Sequence, residues 1–465
     1  MPYDFLNIEK PADLSKIQFW NGECGRVLSA FNSKVVNSVL QIIEEIGKNR
    51  DKALLKYCRK FDVPGLESTA DFKVSSEEIE AAGKTVPKKY PELVKAINFS
   101  YKNIKKYHKV QLRKEPESWF TGSFSKGKKL GQINRAIARA GLYVPGGRYI
   151  YPSSVLMMAI PAIIAGVDEI AVCTPPDRSN RINEILLYVF SILKINEVYK
   201  IGGAHAVAAL ALGTESIKRV DKIFGPGNVY VTTAKRLVYG IAGIDSLAGP
   251  SEILIIADKE ANPAYIAADI ISQSEHDPDA KSMLLSTSKV LSEKVIEEIY
   301  RQLKFFSNKN DYKNSKSGNV IIQSLKNNCK IFYNPDINFL IDICNMIAPE
   351  HLEIMVRDYD SVLLKIKNSG AIFLGNNTPV AVGDYICGTN HVIPTGGNAR
   401  FSSPLGVYDF FKKSSVAFYD FNTLKKEAKF ISIMADFENL AAHRRSVEIR
   451  LEDFEKNDLE KEDLR

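Results

Sequence analysis

Histidine and cysteine are both scarce, with six of each in 465 residues. Cys24, Cys58, Cys173, Cys329, Cys344 and Cys387 form no Cys-x-x-Cys pair and keep no regular spacing. That fits buried free thiols in a reducing cytosol better than a disulfide framework. No apolar run reaches the ~20 residues of a membrane span. The longest, Val155–Val167, is short and contains Pro161. Met1–Lys10 is polar and lacks the apolar core of a secretory signal, so the expectation is a soluble, cytoplasmic protein with no membrane partner. The dinucleotide fingerprint G-x-G-x-x-G is also missing: Gly225-x-Gly227 is followed by Tyr230 where the third glycine belongs. Net charge is only +7, and Glu115 and Glu117 break up the lysines between Lys84 and Lys129. Those lysines read as solvated helix faces, with no nucleic-acid motif beside them.

What is present is an ordinary globular composition, 45% hydrophobic and 25% charged, in a chain too long for one core. From Ser33 to Tyr107 the pattern is helical, with apolar positions such as Val39, Ile42, Ile43 and Ile46. After Leu142, short β-rich runs alternate with helix-length segments. The runs predict strands at Ile170–Cys173, Val198–Ile201, Lys222–Phe224, Ile253–Ala257, Met283–Leu285, Lys330–Tyr333 and Ala371–Leu374. Alternation of this kind predicts parallel sheets covered on both faces, in two α/β units spanning Leu142–Asp245 and Ser251–Phe373. Beyond Ser415 the chain reads as helical and charged, ending in a frayed Glu452–Arg465 tail.

Four of the six histidines sit in polar motifs: His276, His351, His391 and His443. Imidazole is both the usual transition-metal ligand and the usual proton shuttle near neutral pH. Asn262-Pro263 predicts a helix start, and Gln273 and His276, three apart near its end, share a face. By itself that pair is more often an ordinary polar helix end. Asp384, on a Gly-flexed loop after the strand Ala371–Leu374, is expected beyond the carboxyl ends of the strands, where ligands collect in open α/β sheets. His443 would complete a mixed N/O set suited to Zn²⁺, with Mn²⁺ or Co²⁺ as substitutes, and the lack of a Cys ligand favours a catalytic over a structural metal.

Glu350-His351 reads either as a helix start with an acidic first residue or as an acid–base pair. Adjacent helical residues point about 100° apart, so the two would line separate walls of one pocket rather than meet. Glycine loops at Gly146-Gly147, Gly202-Gly203 and Gly225-Pro226-Gly227-Asn228 follow strand-like segments and can approach phosphates. Residue chemistry alone reaches an α/β metalloenzyme and leaves nucleotide binding open.

Several motifs, taken together, resemble one family. They are Gly141-Leu142-Tyr143-Val144-Pro145-Gly146-Gly147, Gly225-Pro226-Gly227-Asn228, Gly249-Pro250-Ser251-Glu252, Ser272-Gln273-Ser274-Glu275-His276, Ala348-Pro349-Glu350-His351-Leu352-Glu353, Gly383-Asp384-Tyr385, Thr389-Asn390-His391 and the run Ala399–Phe410. Over roughly Asp51 to Val447 the chain resembles histidinol dehydrogenase. The resemblance implies a zinc-dependent, four-electron oxidation of L-histidinol to L-histidine through L-histidinal, with two NAD⁺, as the last step of histidine biosynthesis. It implies one Zn²⁺ per subunit held by Gln273, His276, Asp384 and His443. Ser251, His391 and Glu438 are implied substrate contacts beside the metal ligands and His351. Tyr143, His205 and Asn228 are implied dinucleotide contacts. His351 is the implied base for the alcohol proton and Glu350 the group that activates water on the aldehyde.

The implied fold is α/β, with two incomplete Rossmann-like parallel-sheet domains, small helical terminal regions and an intertwined homodimer. Residues 1–38 pack with the C-terminal region, 39–142 with 251–405 form the metal and catalytic domain, and 143–250 form the NAD-binding domain. Residues 406–465 form a helical region that supplies Glu438 and His443 to the partner's site. Two positions depart from the family pattern: His205 stands where Gln is usual, and Met158 where Asn is frequent. The rival readings are a related zinc/NAD dehydrogenase acting on another small polar alcohol, such as a sulfopropanediol, and a zinc hydrolase using Glu350 as base without NAD. No nucleic-acid partner is expected.

Overall fold

The structure is a computed structural model that describes residues 6–9, 32–115, 117–123, 126–146, 150–308 and 316–462. Cys24, Gly147, most of the 1–38 segment and the last three residues of the tail lie outside it. Contacts divide the chain into two compact units, one of residues 1–112 and 137–410, the other of residues 113–136 and 411–465.

In chain order, the first unit opens with strand β1 (Ile8–Glu9) and the helices α1 (Ser33–Phe61), α2 (Ser76–Lys89) and α3 (Pro91–Lys114), whose last two residues enter the second unit. Helix α1 buries Val39, Ile42, Ile43 and Ile46, an i, i+3, i+4, i+7 stripe, then, beyond a break, Ala53, Leu54, Tyr57 and Cys58 at i, i+1, i+4, i+5. The break is Arg50, at φ 46°, whose guanidinium donates to the carbonyls of Leu212 and Gly213. The lysines of α2 and α3 lie on helix faces as expected, but the chain then leaves helical structure. It forms β2 (Trp119–Ser123) and β3 (Lys126–Ala136), so Lys126, Lys128 and Lys129 belong to a strand. Both strands are in the second unit.

A five-stranded, wholly parallel sheet follows. It comprises β4 (Arg139–Tyr143), α4 (Pro152–Ala165), β5 (Glu169–Cys173), α5 (Glu184–Leu193), β6 (Val198–Tyr199), α6 (Gly203–Leu212), β7 (Lys222–Phe224), α7 (Val229–Val238) and β8 (Gly243–Ile244). The strand order is β6-β5-β4-β7-β8. Central β4 is buried throughout, as a parallel strand covered on both faces must be. Sequence pattern alone missed it because Arg139 and Gly141 interrupt its apolar run.

The second sheet, also parallel, comprises β9 (Glu252–Ala257), α8 (Pro263–Ser274), β10 (Lys281–Ser286), α9 (Lys289–Asn308), α10 (Lys316–Asn328), β11 (Cys329–Tyr333), α11 (Ile337–Ile347), β12 (His351–Met355), α12 (Tyr359–Leu363), β13 (Ala371–Leu374) and α13 (Val380–Tyr385). Its order is β1-β11-β10-β9-β12-β13. Leaving aside β1, the two sheets share one topology. Each starts in the middle, runs two strands outward, then crosses back to add two on the other side, which puts a topological switch point between β4 and β7 and between β9 and β12.

The second unit is an antiparallel sheet followed by helices: β14 (Phe411–Tyr419), α14 (Phe421–Phe437) and α15 (Ala441–Glu462). Strand β14 pairs with β3 over nine registers, from Phe411–Ala136 to Tyr419–Lys128, and β2 closes the other side of β3. The helical texture expected beyond Ser415 therefore starts only after Tyr419, because β14 alternates too many polar residues with apolar ones to stand out. Helix α14 leaves Phe430, Ile433, Met434 and Phe437 exposed. Among the described residues no helix is long and apolar enough to cross a membrane, and the cysteines are free thiols, all buried except Cys387.

Candidate active site

Glu350 and His351 do not start a helix. His351 opens β12 and Glu350 immediately precedes it. Local preference fails here because the strand reads His-Leu-Glu-Ile-Met, with two polar side chains that only the surrounding fold could bury. Both residues grip the backbone of Glu252, the first residue of β9. The N–H of Glu252 donates to Glu350 Oε2 at 2.7 Å, and His351 Nδ1 donates to the Glu252 carbonyl at 2.9 Å. The two side chains come within 3.5 Å of each other, where a helix would have held them apart. Because Nδ1 carries the proton, Nε2 is left as a bare acceptor. Burial, with the imidazoles of His276 and His391 further disfavouring a charge nearby, lowers His351 to about 4. Burial and the carboxylates of Glu252 and Asp384 push Glu350 well above the usual carboxylate range.

This pair lies at the amino ends of β9 and β12, not at their carboxyl ends. The expectation of a site beyond the carboxyl ends is thus corrected for the second sheet. Asp384 is also on helix α13 rather than on a loop. The physical reason is visible at the first residue of α13: the N–H of Val380 donates to Glu353 Oε1 on β12. The chain after β13 folds back along the sheet and carries Asp384 toward Glu350 and His351. Burial raises the Asp384 carboxyl to about 6.

Gln273 lies in the last turn of α8, 2% exposed, and its Nε2 has no partner. His276 follows the helix; the residue is exposed overall, yet burial of its imidazole depresses it. His391 donates from Nδ1 to the Asp384 carbonyl at 2.9 Å, and its Nε2 lies 3.2 Å from Ser154 Oγ on α4. Burial lowers His391 to about 4. Electrostatic influence runs between His351 and both His276 and His391, and between Glu350 and Asp384, so these side chains share one neighbourhood. Ser251, half-buried, stands directly before Glu252, and its carbonyl accepts from the N–H of Lys281 at 3.0 Å. Glu438 caps α14 and His443 is in the first turn of α15, both exposed and both in the second unit.

The glycine loops are where parallel-sheet geometry puts ligand-binding loops, at the carboxyl ends of β4, β6 and β7. The Tyr143 hydroxyl accepts from the N–H of Gly203 at 3.1 Å and is pushed up to about 12 by burial. Asn228 caps α7, accepting from Tyr230 and Val231. Gly225 is at φ +114°, and a Cβ there would lie 2.1 Å from the Tyr143 carbonyl and 2.9 Å from Met158 Sδ. Only glycine fits. Sequence reasoning missed what holds that turn. Lys235 Nζ donates to the Gly225 carbonyl at 2.9 Å, the N–H of Gly225 donates to Asp245 Oδ2 at 2.7 Å, and Lys235 and Asp245 pair with each other. His205 is 1% exposed, donates from Nε2 to Asp62 Oδ2 at 2.7 Å, and lies against Tyr57 and Phe61. Cys58, Asp62 and His205 have ligand atoms all within 4.8 Å of one another, a cluster distinct from the Gln273, His276 and Asp384 set. Glu252 was also missed, although a carboxylate opening an otherwise apolar strand was the available signal.

The profile of the family described as Histidinol dehydrogenase matches residues 28–451. The chain belongs to the histidinol dehydrogenase family. Membership makes it an NAD-dependent oxidoreductase. It is 43% identical over 419 residues to the histidinol dehydrogenase of Clostridium acetobutylicum, covering 90% of this chain and 93% of that protein. With that of Caldanaerobacter subterraneus subsp. tengcongensis it shares 45% over 419 residues, covering 90% and 93%. The crystal structure of histidinol dehydrogenase from Elizabethkingia anophelis superposes with a TM-score of 0.80 at 35% identity, covering 97% of this chain and 95% of that one. All the family-derived site residues, from Tyr143 to His443, fall within the matched span.

Proposed function

We propose that this enzyme oxidises L-histidinol to L-histidine through L-histidinal, reducing two NAD⁺, in a reducing cytoplasmic setting. The observation that carries this is the double grip on Glu252. One backbone unit presents a carboxylate and a neutral imidazole side by side, the acid–base equipment that two successive oxidations need.

The donor set fits a cation. Gln273 offers a buried amide with an unpartnered end, Asp384 is a carboxylate that burial leaves short of compensating charge, and His276 is a depressed, neutral imidazole. A cation offsets the Asp384 charge, takes up a free His276 nitrogen and is coordinated by the Gln273 amide oxygen rather than by its unpartnered Nε2. We assign Gln273, His276, Asp384 and His443 as the ligands of one Zn²⁺ per subunit. When bound, Zn²⁺ would orient histidinol through its imidazole and amine nitrogens.

His351 takes the alcohol proton at Nε2, because its other nitrogen is committed to the Glu252 carbonyl. Glu350, raised toward the range of a useful general base, takes a proton from the water that hydrates the aldehyde. Ser251, His391 and Glu438 contact the substrate. Tyr143, Asn228 and His205 line the dinucleotide side, in a domain of residues 143–250. The metal and catalytic domain combines residues 39–142 and 251–405. Glu438 and His443 serve the partner's site in a homodimer, a reading supported by the apolar side chains that α14 leaves exposed.

The test is NADH formed per histidinol, before and after chelation. Two NADH, lost on chelation and restored by Zn²⁺, is the expected result. One NADH, or full turnover without metal, would overturn the reading.

A further inference from the structure

A second cluster of metal-ligating side chains lies away from the catalytic pair, where α1 packs against α6. Cys58 is in the last turn of α1 and Asp62 is its C-cap residue, four positions on and therefore on the same face. His205 is in the first turn of α6. The cap is ordered, with the N–H of Asp62 donating to the Cys58 carbonyl at 2.8 Å. Cys58 is fully buried, and the Asp62 and His205 side chains are nearly so. Tyr57 and Phe61 flank the imidazole, with ring centroids 6.5 and 5.8 Å from it. Among the described residues, this is where three ligand atoms from His, Cys, Asp or Glu fall within 4.8 Å of one another.

We propose that Cys58, Asp62 and His205 form a second metal site, separate from the Gln273, His276 and Asp384 set, for a thiophilic divalent cation of the zinc class. The trio offers one sulfur, one oxygen and one nitrogen, the three donor types that zinc uses. Thiolate and carboxylate together neutralise a divalent charge, and the imidazole stays neutral, so a buried ion leaves no net charge behind. Zinc–ligand bonds of about 2.0–2.3 Å put tetrahedral ligands roughly 3.3–3.8 Å apart. The trio reaches that spacing by side-chain rotation within its 4.8 Å envelope. Binding breaks the Cys58 S–H bond. The sulfur lone pair goes to the cation and the proton to solvent. The His205 proton moves from Nε2 to Nδ1, which frees Nε2 to ligate. Asp62 Oδ2 also accepts from the N–H of Gly202 at 3.3 Å, so the ion would sit under the Gly202-Gly203 turn at the carboxyl end of β6.

The catalytic donor set contains no sulfur, so a thiolate signature reports on this site whether or not the catalytic reading holds. Full-length protein with its catalytic metal in place is titrated with Cd²⁺. Bound metal is counted by mass spectrometry, and the ultraviolet thiolate-to-Cd²⁺ charge-transfer band is followed. Wild type should take an additional equivalent with the band. Cys58→Ser should lose both, and Cys387→Ser, a control for the exposed thiol, should keep both. His205→Gln and Asp62→Asn should keep the sulfur band but weaken binding by at least about tenfold, since even outer-shell partners of a metal cost about 10–100-fold. These two variants decide the matter if Cys58→Ser does not fold. No additional equivalent, a band that survives Cys58→Ser, or binding unmoved by both His205→Gln and Asp62→Asn overturns the proposal.

Discussion

His351 donates from Nδ1 to the carbonyl of Glu252 at 2.9 Å, and this one hydrogen bond leaves Nε2 as the free acceptor nitrogen. It joins the first residue of β12 to the first residue of β9, across the switch point of the second sheet. The orientation of His351 is therefore set by strand register, not by a loop.

If Nε2 is the base, His351→Asn should slow both oxidation steps by about 10²–10⁴-fold, the usual worth of a positioned base. Native circular dichroism should be kept. Single-turnover NADH traces on histidinol and on histidinal would check this, and a defect confined to one step would reassign the residue.

His351 also makes a statement about stability in the metal-free protein. Its folded value of about 4 lies below the ordinary imidazole value of about 6.5. The folded state thus binds fewer protons than the unfolded state between those values. The contribution is fully present above about pH 6.5 and is lost as pH falls through 4. Urea melts between pH 7 and 4 should show a shallower acid loss in His351→Asn than in wild type.

Glu350→Gln should separate the two oxidations. The amide cannot take a proton from water, so histidinol should yield its first NADH at a usable rate and the second about 10²-fold more slowly or worse. Equal loss in both phases would mean that Glu350 acts through the Glu252 backbone contact alone.

Lys235 and Asp245 hold Gly225 from both sides and are buried together. Lys235→Met leaves Asp245 as an uncompensated buried charge, which costs about 3–5 kcal/mol. A large drop in melting temperature with a raised KM for NAD is expected. An unchanged KM would show that the turn does not shape the dinucleotide site.

The shared-site reading makes a prediction about mixtures. His443→Ala and Gln273→Ala homodimers should each be nearly inactive. Unfolding and refolding them together should recover about a quarter of wild-type activity, because half the dimers carry one intact site of two. Mixed dimers confirmed by mass but without activity would place His443 in its own chain's site.

The alternation of short β-rich runs with helices was enough to predict two parallel α/β units, and seven strands were legible within a few residues. Strands whose polarity is decided by burial were not. β4 contains Arg139 and Gly141, and β12 contains His351 and Glu353; their side chains are tolerated only because partners come from distant positions. The candidate site divides in the same way. Glu350 and His351 stood out as residue types, but their contact needed strand geometry. Asp384 was legible as a candidate ligand, yet its placement at the amino ends depends on α13 folding back beside Glu353.

The linear chain by itself determined the family and the reaction class it implies, because the motifs that carry them, such as Ala348–Glu353 and Gly225–Asn228, are contiguous. Only the tertiary structure decided that Glu252 is the shared anchor of Glu350 and His351 and that Lys235 and Asp245 clamp Gly225. It alone brought Cys58 and Asp62 to His205. Those partners are separated by 10 to 147 positions along the chain. Hydrogen bonds and charge act over a few ångströms of space, and no spacing in the sequence encodes which distant segments the sheets will bring that close.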